Sequence, residues 1–118
     1  MIKIQREPGT NLIYTQAVDK LDQADYDRLL PVVKEMTEKY GKVRWYFEMN
    51  DFDGWTPQAL WSDATFSLKH RNDFSKTAMV GRKDWMNWLT QMMKPFTTAE
   101  VRFFELHERE AAKAWIKQ

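Results

Sequence analysis

The chain reads as an α/β domain with a mixed five-stranded sheet and about four helices, and three observations predict this. An alternating N-terminal run, Ile2 to Arg6, is followed by a Pro8-Gly9 turn and a second extended run, Asn11 to Val18. From Gln23 the apolar spacing switches from two to three and four, and helical and strand patterns then alternate to the C-terminus. The length of 118 residues suits one domain able to bury a continuous core without a metal or disulfide, so residues 1–118 are read as a single unit.

The first two runs read as a β-hairpin. Tyr26, Leu29, Leu30, Val33, Met36, Thr37 and Tyr40 then form one apolar stripe, with Asp27, Arg28, Glu35, Glu38 and Lys39 off it. Asp22 suits the N-cap of that helix and Gly41 its C-terminal close, while Pro31 falls on the polar side, where a kink is tolerated. Val43 to Met49 (VRWYFEM) reads as a strand, ended by a loop at Asn50-Asp51-Phe52-Asp53-Gly54. Thr56-Pro57 supplies an N-cap and first-turn proline for a helix to about Lys69. Lys76 to Val80 is a short buried strand, Lys83 to Met93 a helix halted by Pro95, Glu100 to Leu106 the last strand, and Glu108 to Lys117 a final helix. That order predicts a sheet whose later part is parallel, with right-handed crossovers. Loops after the central strands would then meet at one edge, where ligands sit in open α/β sheets.

Composition narrows the function classes. Lys and Arg number 18 and Asp and Glu 17, giving a formal charge of +1 with the signs interspersed, so the global field that draws nucleic acid to a protein is missing. There is no cysteine, which rules out a disulfide framework, a thiolate metal site and a cysteine nucleophile, and points to a reducing cytoplasm. No stretch approaches the roughly 20 apolar residues of a spanning helix, and the N-terminus lacks a signal-peptide core. Aromatic residues reach 14%, with six Trp and seven Met. Such side chains fill cores and also line adaptable apolar sites.

Many short pieces of the chain carry a family pattern. Asp25-Tyr26 through Leu30-Pro31, Gly41-Lys42-Val43, Asp51-Phe52-Asp53-Gly54-Trp55, Ala59-Leu60-Trp61-Ser62-Asp63, Lys69-His70 with Asp73-Phe74, Ala78-Met79-Val80-Gly81 ahead of Trp85, and Glu100-Val101-Arg102-Phe103-Phe104 with Glu110-Ala111 and Trp115 together resemble the SpoIIAA-like family. The resemblance implies a STAS-like fold, related in shape to CRAL-TRIO lipid carriers, and names no reaction. STAS-class anti-sigma-factor antagonists present a phosphorylatable serine after the central strand. Here the corresponding turn is Gly54-Trp55-Thr56-Pro57, and Thr56 is its only hydroxyl, better explained as a helix cap than as a phosphosite.

Catalytic and metal chemistry find little purchase. Asp51 and Asp53 before Gly54 look like part of a calcium loop or a phosphotransfer motif. With Gly54 at the sixth loop position, however, Met49 falls first and Leu60 last, and Trp55 stands where the phosphotransfer motif has Thr. His70 and His107 lie in no triad or metal spacing. No catalytic residue, metal or cofactor is assigned, and the chain is read as a non-enzyme.

The sharper signal is apolar. Trp85, Met86, Trp88, Leu89, Met92, Met93 and Phe96 cover an arc of roughly 160°, wider than the about 100° a core-facing stripe needs. Lys69, Arg71, Lys76, Arg82, Lys83 and Lys94 flank it, as at an amphipathic lid or membrane-surface helix. Complete packing of that helix on the sheet is the competing reading. Trp61, Phe66, Trp85, Trp88 and Met92 could line a pocket with Asp51 and Asp53 at its mouth, and these seven are the candidate ligand-binding residues. The expectation is a cytoplasmic domain, peripheral to the membrane at most, that holds a small apolar or lipid-like ligand. The alternative is a STAS-type protein-interaction module pairing with itself or a regulatory partner.

Overall fold

The structure, a computed structural model, describes the backbone of residues 1–55, 73–82 and 100–118, and their side chains except at 50–55. Five strands form one sheet: β1 (Ile2–Arg6), β2 (Leu12–Leu21), β3 (Val43–Trp55), β4 (Phe74–Gly81) and β5 (Glu100–Glu105), in spatial order β1-β2-β3-β4-β5. β1 runs antiparallel to β2, and each later neighbour pair is parallel, as the hairpin-then-alternation pattern predicts. Two α-helices stand among the described residues, α1 (Gln23–Tyr40) and α2 (Arg109–Lys117), the latter entered through a 3-10 turn at Leu106–Glu108. The helices expected over 56–69 and 83–93 lie outside the described residues, so the expected total of about four is met only in these two.

α1 forms where the stripe places it. Tyr26, Leu29, Val33 and Met36 are buried against Ile2, Ile13, Ala17, Leu21, Val43, Trp45, Phe47 and Met49 on one sheet face. Full burial of an aliphatic side chain of this size is worth about 1.5–3 kcal/mol, so this face dominates the helix's stability. Asp22 caps the first turn by accepting from the Asp25 N–H at 3.1 Å, and the Asp25 carboxylate accepts from the Asp22 N–H at 2.9 Å. Gly41 closes the helix at φ 85°, a left-handed conformation that glycine adopts without strain. The helix runs through Pro31, which is exposed.

Asp25 also fastens β1 to α1. It is 5% exposed, accepts from the Ile2 N–H at 3.0 Å, pairs with Arg28 at 3.2 Å and lies 3.3 Å from the N-terminal ammonium. Burial pushes its pKa up, but the Asp22 backbone donor and the N-terminal ammonium outweigh that and hold the carboxyl below its ordinary value.

The other face holds a second core: Leu12, Tyr46, Ala78, Val80 and Phe104 under Ala112, Trp115 and Ile116 of α2. A nine-residue helix depends on such contacts. Cations secure its C-terminal end. Arg44 donates to the Ile116 carbonyl at 2.8 Å, and Lys76 and Arg102 lie 5.0 and 5.4 Å from the Trp115 ring centre.

Two strand boundaries differ from expectation. β2 continues past Val18 to Leu21, because Leu21 is buried and the N-terminal ammonium bonds to the carbonyls of Val18 and Lys20. The loop expected at Asn50–Gly54 is not formed; β3 stays in the sheet to Trp55. From Ala17↔Met49 the register passes to Asp19↔Phe52 and then Lys20↔Gly54, so β3 spends one extra residue at each step. Turn-prone residues there produce β-bulges opposite Asp19, whose φ is 57°, instead of a reversal. Among the described residues no helix is long and apolar enough to cross a membrane.

Candidate ligand-binding recess

Alternation along the strands decides which side chains meet on the α2 face. Trp45, Phe47 and Met49 of β3 point into the α1 core, so Tyr46 and Glu48 point the other way. Tyr14 and Gln16 of β2 pair with Tyr46 and Glu48 in register, and Gln5 and Lys3 of β1 pair with Tyr14 and Gln16. Because α2 rests on β3, β4 and β5, no helix among the described residues covers this β1–β2 half of the face.

The result is a recess of about 490 Å³ lined by Lys3, Gln5, Tyr14, Gln16, Tyr46, Glu48, Lys113 and Lys117, with contributions from Ile4 and Thr15. Its volume falls within the range that holds small organic ligands. The rings of Tyr14 and Tyr46 lie 5.5 Å apart at 59°, an inclined aromatic floor. Lys113 approaches the Tyr46 ring to 6.0 Å.

Glu48 is the chemically distinctive group. It is 7% exposed, and the Tyr46 hydroxyl donates to its Oε1 at 2.7 Å while Gln16 Nε2 donates to Oε2 at 3.4 Å. Arg109 Nε stands 3.8 Å from Oε1, giving a partial counter-charge. Burial pushes the Tyr46 phenol far up, and the Glu48 carboxylate raises it further, so Tyr46 stays protonated and donating. At the rim, Lys3 and Lys117 are exposed and form no ion pair among the described residues, while Lys113 has only a 4.0 Å approach to exposed Glu110. Three lysines thus line the recess that also holds one carboxylate, itself faced by Arg109. Cationic side chains outnumber anionic ones in the recess wall.

The residues nominated from sequence do not take part in this description. Trp61, Phe66, Trp85, Trp88 and Met92 lie outside the described residues, as do Thr56 and His70. Asp51 and Asp53 belong to the bulged end of β3, not to a loop at a pocket mouth, and their side chains are not described. His107 sits in the 3-10 turn between the last strand and helix, exposed and 3.8 Å from Glu105. Sequence reasoning missed Tyr14, Tyr46 and Glu48. The available signal was the single acid in VRWYFEM: a glutamate two residues from a tyrosine, on the opposite face from Trp45 and Phe47.

A parallel sheet preceded by an antiparallel edge strand, with α1 on one face and a C-terminal helix on the other, defines an α/β domain of STAS type. The SpoIIAA-like family model matches residues 12–117, and the chain belongs to the SpoIIAA-like family. A crystal structure of an uncharacterized protein from Shewanella loihica PV-4, from the DUF3478 family with a SpoIIAA-like fold, is similar at a TM-score of 0.78 and 25% identity. That likeness covers 98% of this chain and 92% of the other. Among curated proteins none matches the chain.

Proposed function

We propose that this domain is a binding module without catalysis of its own, and that its ligand is a small anionic amphiphile, an apolar or lipid-like molecule with an acidic head. The observation that carries the reading is the recess beside α2: a ligand-sized volume with an aromatic floor and three lysines at its rim. The lysines receive the acidic head, and the Tyr14 and Tyr46 rings flank the adjoining carbons. Fatty-acid-like molecules combine these features.

Native mass spectrometry of the purified protein, with added octanoate as a defined probe, tests this. A one-to-one adduct that weakens in Lys3→Ala/Lys117→Ala supports the reading. Absence of any adduct with octanoate or with a copurifying acid contradicts it.

A STAS-type interaction module is the second reading, favoured by β1, which stands at the sheet edge and, among the described residues, pairs only with β2. An unpaired strand edge accepts a strand from a second chain. A ligand-free dimer in the same spectra would favour it.

A further inference from the structure

The hydrogen bonds of Glu48 are incomplete. An ionised carboxylate offers about four acceptor positions, and a buried one costs free energy in proportion to those left empty. Among the described residues Glu48 receives one short bond from Tyr46 and one long bond from Gln16; Arg109, at 3.8 Å, is beyond hydrogen-bonding range. The remaining lone-pair positions belong to a side chain that is 9% exposed and lines the recess. Among the described residues no lysine of the recess forms an ion pair with Glu48, and the Tyr46 hydroxyl is already committed to it.

The recess therefore holds two unmet demands side by side. The rim lysines call for an anion, and the Glu48 carboxylate calls for a donor. A simple carboxylate answers only the first and brings its charge towards Glu48.

Resting on the anion-binding reading above, we propose that the recess selects ligands bearing a hydroxyl or amine close to the acidic group, so that this donor bonds Glu48 while the acid lies among Lys3, Lys113 and Lys117. The chemical class is the hydroxy or amino acid with an apolar tail. Tyr46 and Gln16 act as positioning residues, holding the carboxylate so that its free lone pairs face the recess.

Calorimetric titration with octanoate and 3-hydroxyoctanoate tests this on the unaltered protein. The hydroxylated probe is expected to bind at least tenfold more tightly, in line with discrimination by sites built to bond a substrate hydroxyl. In Glu48→Gln, which keeps shape but removes charge, the preference should fall below threefold while octanoate binds no worse. Equal affinities for the two probes in the unaltered protein overturn the donor requirement and leave anion binding standing. Binding of neither probe overturns both. Because the comparison of probes needs no variant, poor folding of Glu48→Gln does not affect it.

Discussion

Replacing Asp25 with Asn should cost this domain about 1.5–4 kcal/mol, a magnitude that can be built from its contacts. The two carboxylate oxygens serve different backbone donors, Ile2 N–H on one and Asp22 N–H on the other. Asparagine has one acceptor oxygen, so one of these buried donors loses its partner and faces an NH2 group. Loss of a hydrogen bond to a charged acceptor is worth about 1.5–3 kcal/mol, and the half-exposed ammonium pair adds up to about 1 kcal/mol. With an unfolding entropy of about 2.1 cal/mol/K per residue, each 1 kcal/mol lowers Tm by about 4 °C in a chain of this length, so a drop of about 6–16 °C is expected near pH 7. The pH dependence has a definite sign. Because the folded-state pKa of Asp25 is depressed, its ionic contribution is present above the unfolded carboxyl value of about 3.9 and disappears as pH falls through the lower folded value. Calorimetric melts of parent and variant should therefore converge as the buffer is taken from pH 7 towards pH 2. A Tm change under 2 °C at pH 7, or a gap that stays constant on acidification, would refute the assignment of Asp25 as the fastening between β1 and α1.

Other perturbations separate packing from binding. Trp115→Ala should lower stability by about 3–5 kcal/mol in denaturant titration, since it empties the α2 core and removes the ring that Lys76 and Arg102 face; an unchanged midpoint would contradict that packing. Gly81→Val should destabilise strongly, because even a Cβ at this position would lie 2.9 Å from Met49 Cε and 3.4 Å from Met49 Cβ. Gly81→Ala, which needs only the flexible Met49 tip to move, should be far milder, and equal melts for the two variants would count against the close approach. Of the four tyrosines, Tyr46 should not ionise in the folded state, so the absorbance rise of a titration above pH 10 should remain incomplete until unfolding. Since the Tyr46 folded value lies above its unfolded value of about 10, its contribution is intact below pH 10 and is lost only as pH climbs beyond it. Full ionisation of all four in a folded sample would be the contrary result.

Much of the architecture was legible because single periodicities report single burial patterns. The Tyr26–Leu29–Val33–Met36 stripe, the Asp22 cap and the Gly41 close are local signals, and the structure uses each as read. The hairpin and the five strands followed from alternation and turn chemistry. The end of β3 was misjudged because Asn50, Asp51, Asp53 and Gly54 have turn propensities, while pairing with Asp19 to Leu21 is a tertiary effect that local propensity does not contain. Asp25 escaped notice for a related reason: only the approach of Ile2 and the chain start turns an ordinary helix-start acid into a buried hub.

The recess was harder to foresee. Its walls come from β1, β2, β3 and α2, and no short motif spans them. Aromatic richness drew attention to the Trp and Met residues of the 61–92 stretch, whereas the described cavity uses tyrosines, lysines and one glutamate. The sheet register brings Tyr14 beside Tyr46 and Gln16 beside Glu48, and register is set by the hydrophobic pattern of whole strands.

The central claim is that ligand enters the recess beside α2, and an NMR titration of isotopically labelled protein with 3-hydroxyoctanoate tests it most directly. The account predicts saturable shift changes at Lys3, Tyr14, Gln16, Tyr46, Glu48, Lys113 and Lys117, with Arg6, Glu35 and Lys39 on the α1 side unmoved. Changes confined to the α1 side, or none at saturating probe, would contradict it.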